Sequence, residues 1–199
     1  MHARTNRTTR AALGLATAVG ALIITASPGH AAPTKISYDT AGETHISGLE
    51  AKLPLGPGQS DVEVDLQTGK LGAKITLPES RTDFALFGLP THAKVRITQE
   101  SDLAGTFQAG SVTVAGDFAI QITEVGHFGA GIPMQNCRTT EPVRIELKSE
   151  GSFSPTEGGR LTGQYQIPKF ADCGFDTEII NGLVTGKDNP IAVDLKAKK

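Results

Sequence analysis

The chain has no tryptophan and only two tyrosines, Tyr38 and Tyr165, among its 199 residues. Sugar-binding faces and single-strand nucleic-acid platforms rely on exposed flat rings, so a stacking-type carbohydrate or nucleic-acid module is disfavoured. The eight phenylalanines, Phe84, Phe87, Phe107, Phe118, Phe128, Phe153, Phe170 and Phe175, are assigned to the core. Basic clusters are also missing. The formal net charge is −2, and without Arg4, Arg7 and Arg10 the remaining 16 basic and 21 acidic residues leave −5. A mildly acidic chain of this kind has no electrostatic footprint for nucleic acid or an anionic membrane surface.

Only one long apolar run occurs, Ala11 to Ile24, behind the three arginines and ahead of the small-residue stretch Ala26-Ser27-Pro28-Gly29-His30-Ala31. Basic start, short apolar middle and small-residue end are the parts of a secretory signal peptide. The run is short for a bilayer span of about 20 residues. Cleavage is expected after Ala31, making 1–31 the signal and 32–199 the mature chain, 168 of the 199 residues. No transmembrane segment is expected after cleavage, and the polar end Asp194 to Lys199 predicts no sorting tail. The expected location is extracellular or associated with the cell envelope.

What is abundant is alternation. Val62, Val64 and Leu66 alternate with Asp61, Glu63 and Asp65, and Ala73, Ile75 and Leu77 with Lys74 and Thr76. The same period recurs at Ala93–Ile97, Val112–Ile122, Val143–Leu147, Leu161–Ile167 and Ile191–Leu195. Period-two patterning puts one face on a core and the other in water, as in antiparallel sheets. Turn-forming stretches such as Gly56-Pro57-Gly58, Thr68-Gly69-Lys70, Ala109-Gly110 and Glu157-Gly158-Gly159 separate the runs. Their spacing suits a sandwich or a barrel. The fold expected is all-β, an antiparallel two-sheet β-sandwich with at most one short helix, Asp176 to Val184, and one disulfide. One echo is visible: Gly69 to Pro78 and Gly159 to Pro168 share Gly, a basic residue, Leu and a closing Pro at an offset of 90. It allows two related β halves, about 34–104 and 105–199, or two strands obeying the same punctuation rules.

The two cysteines, Cys137 and Cys173, form a minimal even pair in an exported chain and are expected to be disulfide-bonded. The competing reading is a copper or zinc pair, with His127 and Met134 as the nearby soft ligands. Catalytic signatures are missing: no Gly-x-Ser-x-Gly, His-Glu-x-x-His or Cys-x-x-Cys occurs. Gly56-Pro57-Gly58 and Gly129-Ala130-Gly131 lack the third glycine of a dinucleotide loop. Asp61, Glu63 and Asp65 superficially match a calcium loop, but its sixth and twelfth positions hold Leu66 and Gly72 rather than Gly and Glu. They are the wet face of a strand. Of the three histidines beyond the signal, His45 and His92 start strand runs and are expected in solvent. His127, within Glu124-Val125-Gly126-His127-Phe128-Gly129-Ala130-Gly131, is the weak loop-site candidate, because loops carry function on β scaffolds. No catalytic, cofactor-binding or metal-binding residue is assigned.

Four scattered stretches carry a resemblance. They are Val64-Asp65-Leu66-Gln67-Thr68-Gly69-Lys70-Leu71 with Leu77-Pro78, Phe87-Gly88-Leu89-Pro90, Asn136-Cys137-Arg138-Thr139 with Pro142-Val143, and Tyr165-Gln166-Ile167-Pro168-Lys169-Phe170 with Asp172-Cys173-Gly174 and Gly186-Lys187-Asp188-Asn189. The chain resembles exported actinobacterial-type β proteins to which no activity is assigned. That resemblance implies an exported β domain with paired cysteines in its C-terminal half. It carries over no functional residue. The expected function is therefore non-enzymatic: an exported binding or cell-envelope protein whose partner is a protein or an envelope component. An apolar-ligand carrier with an internal cavity is the alternative, and a hydrolase on a β scaffold a third.

Overall fold

A computed structural model describes residues 32–199; the expected signal, 1–31, lies outside the described residues. In chain order the elements are β1 (Thr34–Ile46), β2 (Ala51–Pro54), β3 (Gly58–Val64), β4 (Lys70–Thr76), β5 (Ser80–Leu86), β6 (Leu89–Gln99), β7 (Leu103–Gln108) and β8 (Ser111–His127). There follow β9 (Ala130–Pro133), β10 (Arg138–Thr139), β11 (Val143–Ser154), β12 (Gly158–Gln166), β13 (Phe170–Ala171), α1 (Thr177–Val184) and β14 (Asp188–Ala197). Asp176, the first residue of the expected helix, sits just ahead of α1, and its side chain makes no capping bond.

The two-sheet sandwich is not what forms. Eight strands close into one antiparallel barrel in the order β1-β3-β4-β7-β8-β11-β12-β14 and back to β1. The seam is the β1–β14 ladder, from Tyr38↔Ala197 to Thr44↔Ile191. β8 and β11 join the two runs of the chain through Val143↔Phe118 to Lys148↔Thr113. Alternation is identical for a sandwich and a barrel, since each strand has one dry and one wet face in both. Only the long-range pairing distinguishes them. The outer face carries Asp61, Glu63, Lys74, Glu146 and Lys148, all exposed, while Val62, Val114, Leu161 and Val193 are buried inside. A membrane-spanning barrel has the reverse arrangement. No helix among the described residues is long and apolar enough to cross a membrane.

The chain passes through the ring in two similar circuits. In each, a long strand (β1, β8) pairs beyond the ring with a short one (β2, β9). Two further ring strands follow (β3 and β4; β11 and β12), then an insertion (β5–β6; β13–α1), then the fourth ring strand (β7; β14). The sequence echo falls on β4 and β12, the third ring strand of each circuit. The two circuits share one barrel, and residues 32–199 lie within one compact unit.

β1 escaped the alternation reading because its inward positions are Tyr38, Thr40, Gly42 and Thr44. Tyr38, Thr40 and Thr44 are buried with their hydroxyls bonded, so hydrogen bonding rather than greasiness keeps them inside. Thr40 and Ser60 hydroxyls bond at 2.7 Å, and Thr44 Oγ1 donates to the Pro190 carbonyl at 2.9 Å and lies 3.1 Å from the Tyr165 hydroxyl. Satisfied in this way, buried hydroxyls avoid a desolvation cost of about 1–3 kcal/mol each. Burial pushes the Tyr165 phenol up to about 12.

β8 is the hinge of the architecture. Up to Phe118 it belongs to the barrel; beyond it, Phe118 to His127 pairs with β6 on one side and β9 on the other. The resulting flap, β5-β6-β8-β9, continues the barrel sheet beyond the ring, with α1 packed against it. The Cys137–Cys173 disulfide forms as expected (S–S 2.04 Å) and joins the loop before β10 to the segment leading into α1. The cysteines are therefore not metal ligands. Asn181 of α1 accepts from Phe170 N–H at 2.7 Å and donates to its carbonyl at 3.0 Å, clamping the helix to β13.

Candidate functional site

Three two-residue hairpins, Phe87-Gly88, Ala109-Gly110 and Phe128-Gly129, have both central residues at positive φ (51° and 81°, 49° and 78°, 50° and 87°). This is the turn whose twist matches antiparallel strands, and Asn-Gly or Asp-Gly is its usual sequence. A bulky side chain there costs about 1–2 kcal/mol. Phe87 is nevertheless 85% and Phe128 74% exposed, and Phe175, just ahead of α1, is fully exposed. Assigning all eight phenylalanines to the core is thus corrected: Phe118, Phe153 and Phe170 are buried, Phe84 and Phe107 are half-buried, and these three are in water. The physical reason is the turn itself, whose tip points away from any core.

The tips are neighbours. Phe128 N–H donates to the Pro90 carbonyl at 3.2 Å. Behind them lies a groove of about 280 Å³ between α1 and the flap. Phe84, Leu86 and Leu89 of the β5–β6 hairpin, Ile122 and Val125 of β8, and Ile180 and Leu183 of α1 line it, with Phe87 and Ile179 at the mouth. Its polar groups are few: Thr91, His127 and Asp176. The barrel lumen offers much less, two apolar voids of about 60 and 50 Å³. A wider depression of about 410 Å³ on β1-β3-β4 is open and edged by the Lys35–Glu63 and Lys74–Asp102 ion pairs.

The structure places the loop-site candidate His127 in the groove wall. Thr91 gives its one hydroxyl hydrogen to the Leu89 carbonyl (3.0 Å), so His127 Nδ1, 2.9 Å from the same oxygen, must be the donor to it. In the neutral ring Nε2 is then left as an acceptor, and His127 has no carboxylate partner among the described residues.

The glycines around His127 serve a different histidine. His92, expected in solvent, is 2% exposed. Its Nε2 lies 3.1 Å from Glu124 Oε1, and Lys94 Nζ donates to Glu124 Oε2 at 3.0 Å. A Cβ on Gly126 would stand 2.4 Å from His92 Cε1, and one on Gly131 2.4 Å from the Glu124 carboxylate. The glycine-rich run is thus the space that lets His92 and Glu124 meet on the flap itself. The Lys94 ammonium first, then the His92 ring, hold the Glu124 carboxyl below its usual range. The sign of this layout in the sequence is His92 opposite a glycine in a run otherwise packed with side chains, which becomes meaningful only once the β6–β8 register His92↔Gly126 is known. Among the described residues no three His, Cys, Asp or Glu side chains come together as a metal site. Asp61 bonds Ser37 at 2.6 Å on the outer barrel face.

No protein-family model matches this chain, and no curated protein or solved structure matches it either.

Proposed function

We propose that this is an exported, non-enzymatic binding protein of the cell envelope whose groove between α1 and the flap holds the hydrocarbon part of an apolar molecule. The observation that carries this is the groove itself: about 280 Å³, lined almost wholly by Phe, Leu, Ile and Val, at the lower end of small-molecule sites. It joins the two readings the sequence left apart, binding protein and apolar-ligand carrier, and moves the ligand out of the lumen, whose voids are too small for a chain. His127 Nε2 is the acceptor that would take a hydroxyl or protonated acid at the end of such a chain. Export is supported by the basic-apolar-small order of residues 1–31 and by the disulfide, which is compatible with an oxidising compartment.

The test is titration of the oxidised protein with a fluorescent polyene fatty acid. Saturable one-to-one binding at micromolar concentration is expected. Leu86→Trp, which fills the groove from the edge strand β5, is expected to weaken it at least ten-fold with an unchanged melting temperature. Absence of saturable binding, or equal binding by the filled variant, refutes the groove reading.

A further inference from the structure

We infer that the rim made by the Phe87 and Phe128 hairpin tips and by Phe175 docks on an uncharged or zwitterionic lipid layer. The inference rests on the groove reading for what the protein fetches there, but the docking itself stands on the rim.

Three chain segments that meet at the groove each carry a nearly bare aromatic ring: the Phe128 tip bonds the Phe87 hairpin through Pro90, and Phe175 directly precedes Asp176, which lines the groove together with Phe87. Leu89 and Ile132, 47% and 68% exposed, extend the patch. At the 150–250 Å² an aromatic side chain presents, the three rings alone expose on the order of 500 Å² of apolar surface, as much as the largest and often functional patch on an ordinary monomer. Two of the rings are held at positive φ, where local energetics favours Asn or Gly. Fold stability therefore gives no reason for Phe at either tip.

Charge selects the occupant. Residues 84–91 and 128–137 contain no Asp, Glu, Lys or Arg, so neither tip takes a charge into hydrocarbon. Both turns are two-residue hairpins whose strands remain paired to their ends, Leu86↔Leu89 and His127↔Ala130. The backbone thus enters with its polar groups partnered, as an apolar medium demands. The third segment, residues 172–186, contains Asp172, Asp176 and Glu178 and no Lys or Arg. An anionic layer is repelled by these carboxylates; an uncharged or zwitterionic one is not. The same carboxylates oppose a second copy, since rim-to-rim pairing would bring the two acidic segments together around two concave grooves.

The absence of native tryptophan makes the test direct. Phe128→Trp, and independently Phe175→Trp, gives a single reporter in an exposed position. With phosphatidylcholine vesicles the emission should shift to the blue and be quenched by brominated acyl chains, with little effect of added salt. Phosphatidylglycerol vesicles should give a weaker response. The double variant Phe128→Ser/Phe175→Ser should partition into phosphatidylcholine at least ten-fold less, while its binding of the soluble polyene fatty acid is unchanged, because neither residue lines the groove. If neither reporter shifts on phosphatidylcholine, docking is refuted even where the groove binds fatty acid. A dimer in sedimentation equilibrium that the double variant abolishes also overturns the inference, making the rim a self-association face. Vesicle docking without fatty-acid binding supports the rim and refutes the groove reading alone.

Discussion

Removing the disulfide as Cys137→Ala/Cys173→Ala should lower stability in a graded and localised way. The bond spans 36 residues. In the chain-entropy treatment a loop of that size constrains the unfolded state by about 4 kcal/mol at 25 °C. Unfolding entropy on the order of 350 cal/mol/K for 168 residues converts that into a fall in melting temperature of about 10 °C. The effect should not be uniform. With the bond gone, the segment entering α1 is still held by the pairs Arg138↔Ala171 and Thr139↔Phe170, by Thr140 N–H (2.8 Å) and its hydroxyl (3.1 Å) on the Lys169 carbonyl, by the Asn181 clamp on Phe170 and by burial of the Phe170 ring. β10 itself stays on β8 through Arg138↔Gln121 and through Ile122 N–H on the Cys137 carbonyl at 2.9 Å. Calorimetry reads the global loss, and amide exchange by mass spectrometry reads its place. Exchange should rise first in residues 170–184, which form one wall of the groove, with β1, β3, β12 and β14 still protected. A fall in melting temperature under about 3 °C, or an equal rise in exchange over the whole barrel, refutes the reasoning.

The same small substitution should act by different physics at two nearby glycines. Gly126→Ala drives a methyl into His92 and the Ala130 carbonyl and should cost about 2–3 kcal/mol, whereas Gly129→Ala, with open space and φ +87°, should cost about 1 kcal/mol, read by urea denaturation. Glu124 is held below its ordinary value of 4.5, so its contribution is present at neutral pH and is lost as pH falls through and below that value; Glu124→Gln should flatten the acid limb of the stability curve. Tyr165, pushed up to about 12, and Tyr38, also raised by burial, stay protonated in the fold when an unfolded phenol near 10 would ionise. Stability should therefore fall as pH rises from about 10 toward 12, and phenolate absorbance should appear together with unfolding rather than before it. Phenolate absorbance well below the unfolding transition refutes the burial argument for these two rings.

Local patterning in the sequence was enough for everything that depends on neighbours along the chain. Alternating runs at Val62, Ala73, Ala93, Val112, Val143, Leu161 and Ile191 all became strands, and the one α-helix among the described residues falls on Thr177–Val184. The cysteine pair formed the disulfide. Two ring strands stayed invisible for a chemical reason: β1 turns threonines and a glycine inward, and β7 alternates Leu103, Gly105 and Phe107, where the glycine breaks the apolar rhythm. Closure was not legible at all, because a strand's dry face is the same whether it faces a second sheet or the far wall of its own barrel. The candidate site was less legible still. Phe87, Phe128 and Phe175 read as core by residue type, although the recurrence of Phe-Gly and Ala-Gly between strand runs was a usable sign of tight hairpins. His127 was singled out for its glycines, yet the register across β6 and β8 assigns that space to His92. Tertiary pairing alone determined where these side chains lie, since period and propensity act over a few residues while the groove is assembled from segments some forty to ninety residues apart, whose meeting is set by which strands close the ring.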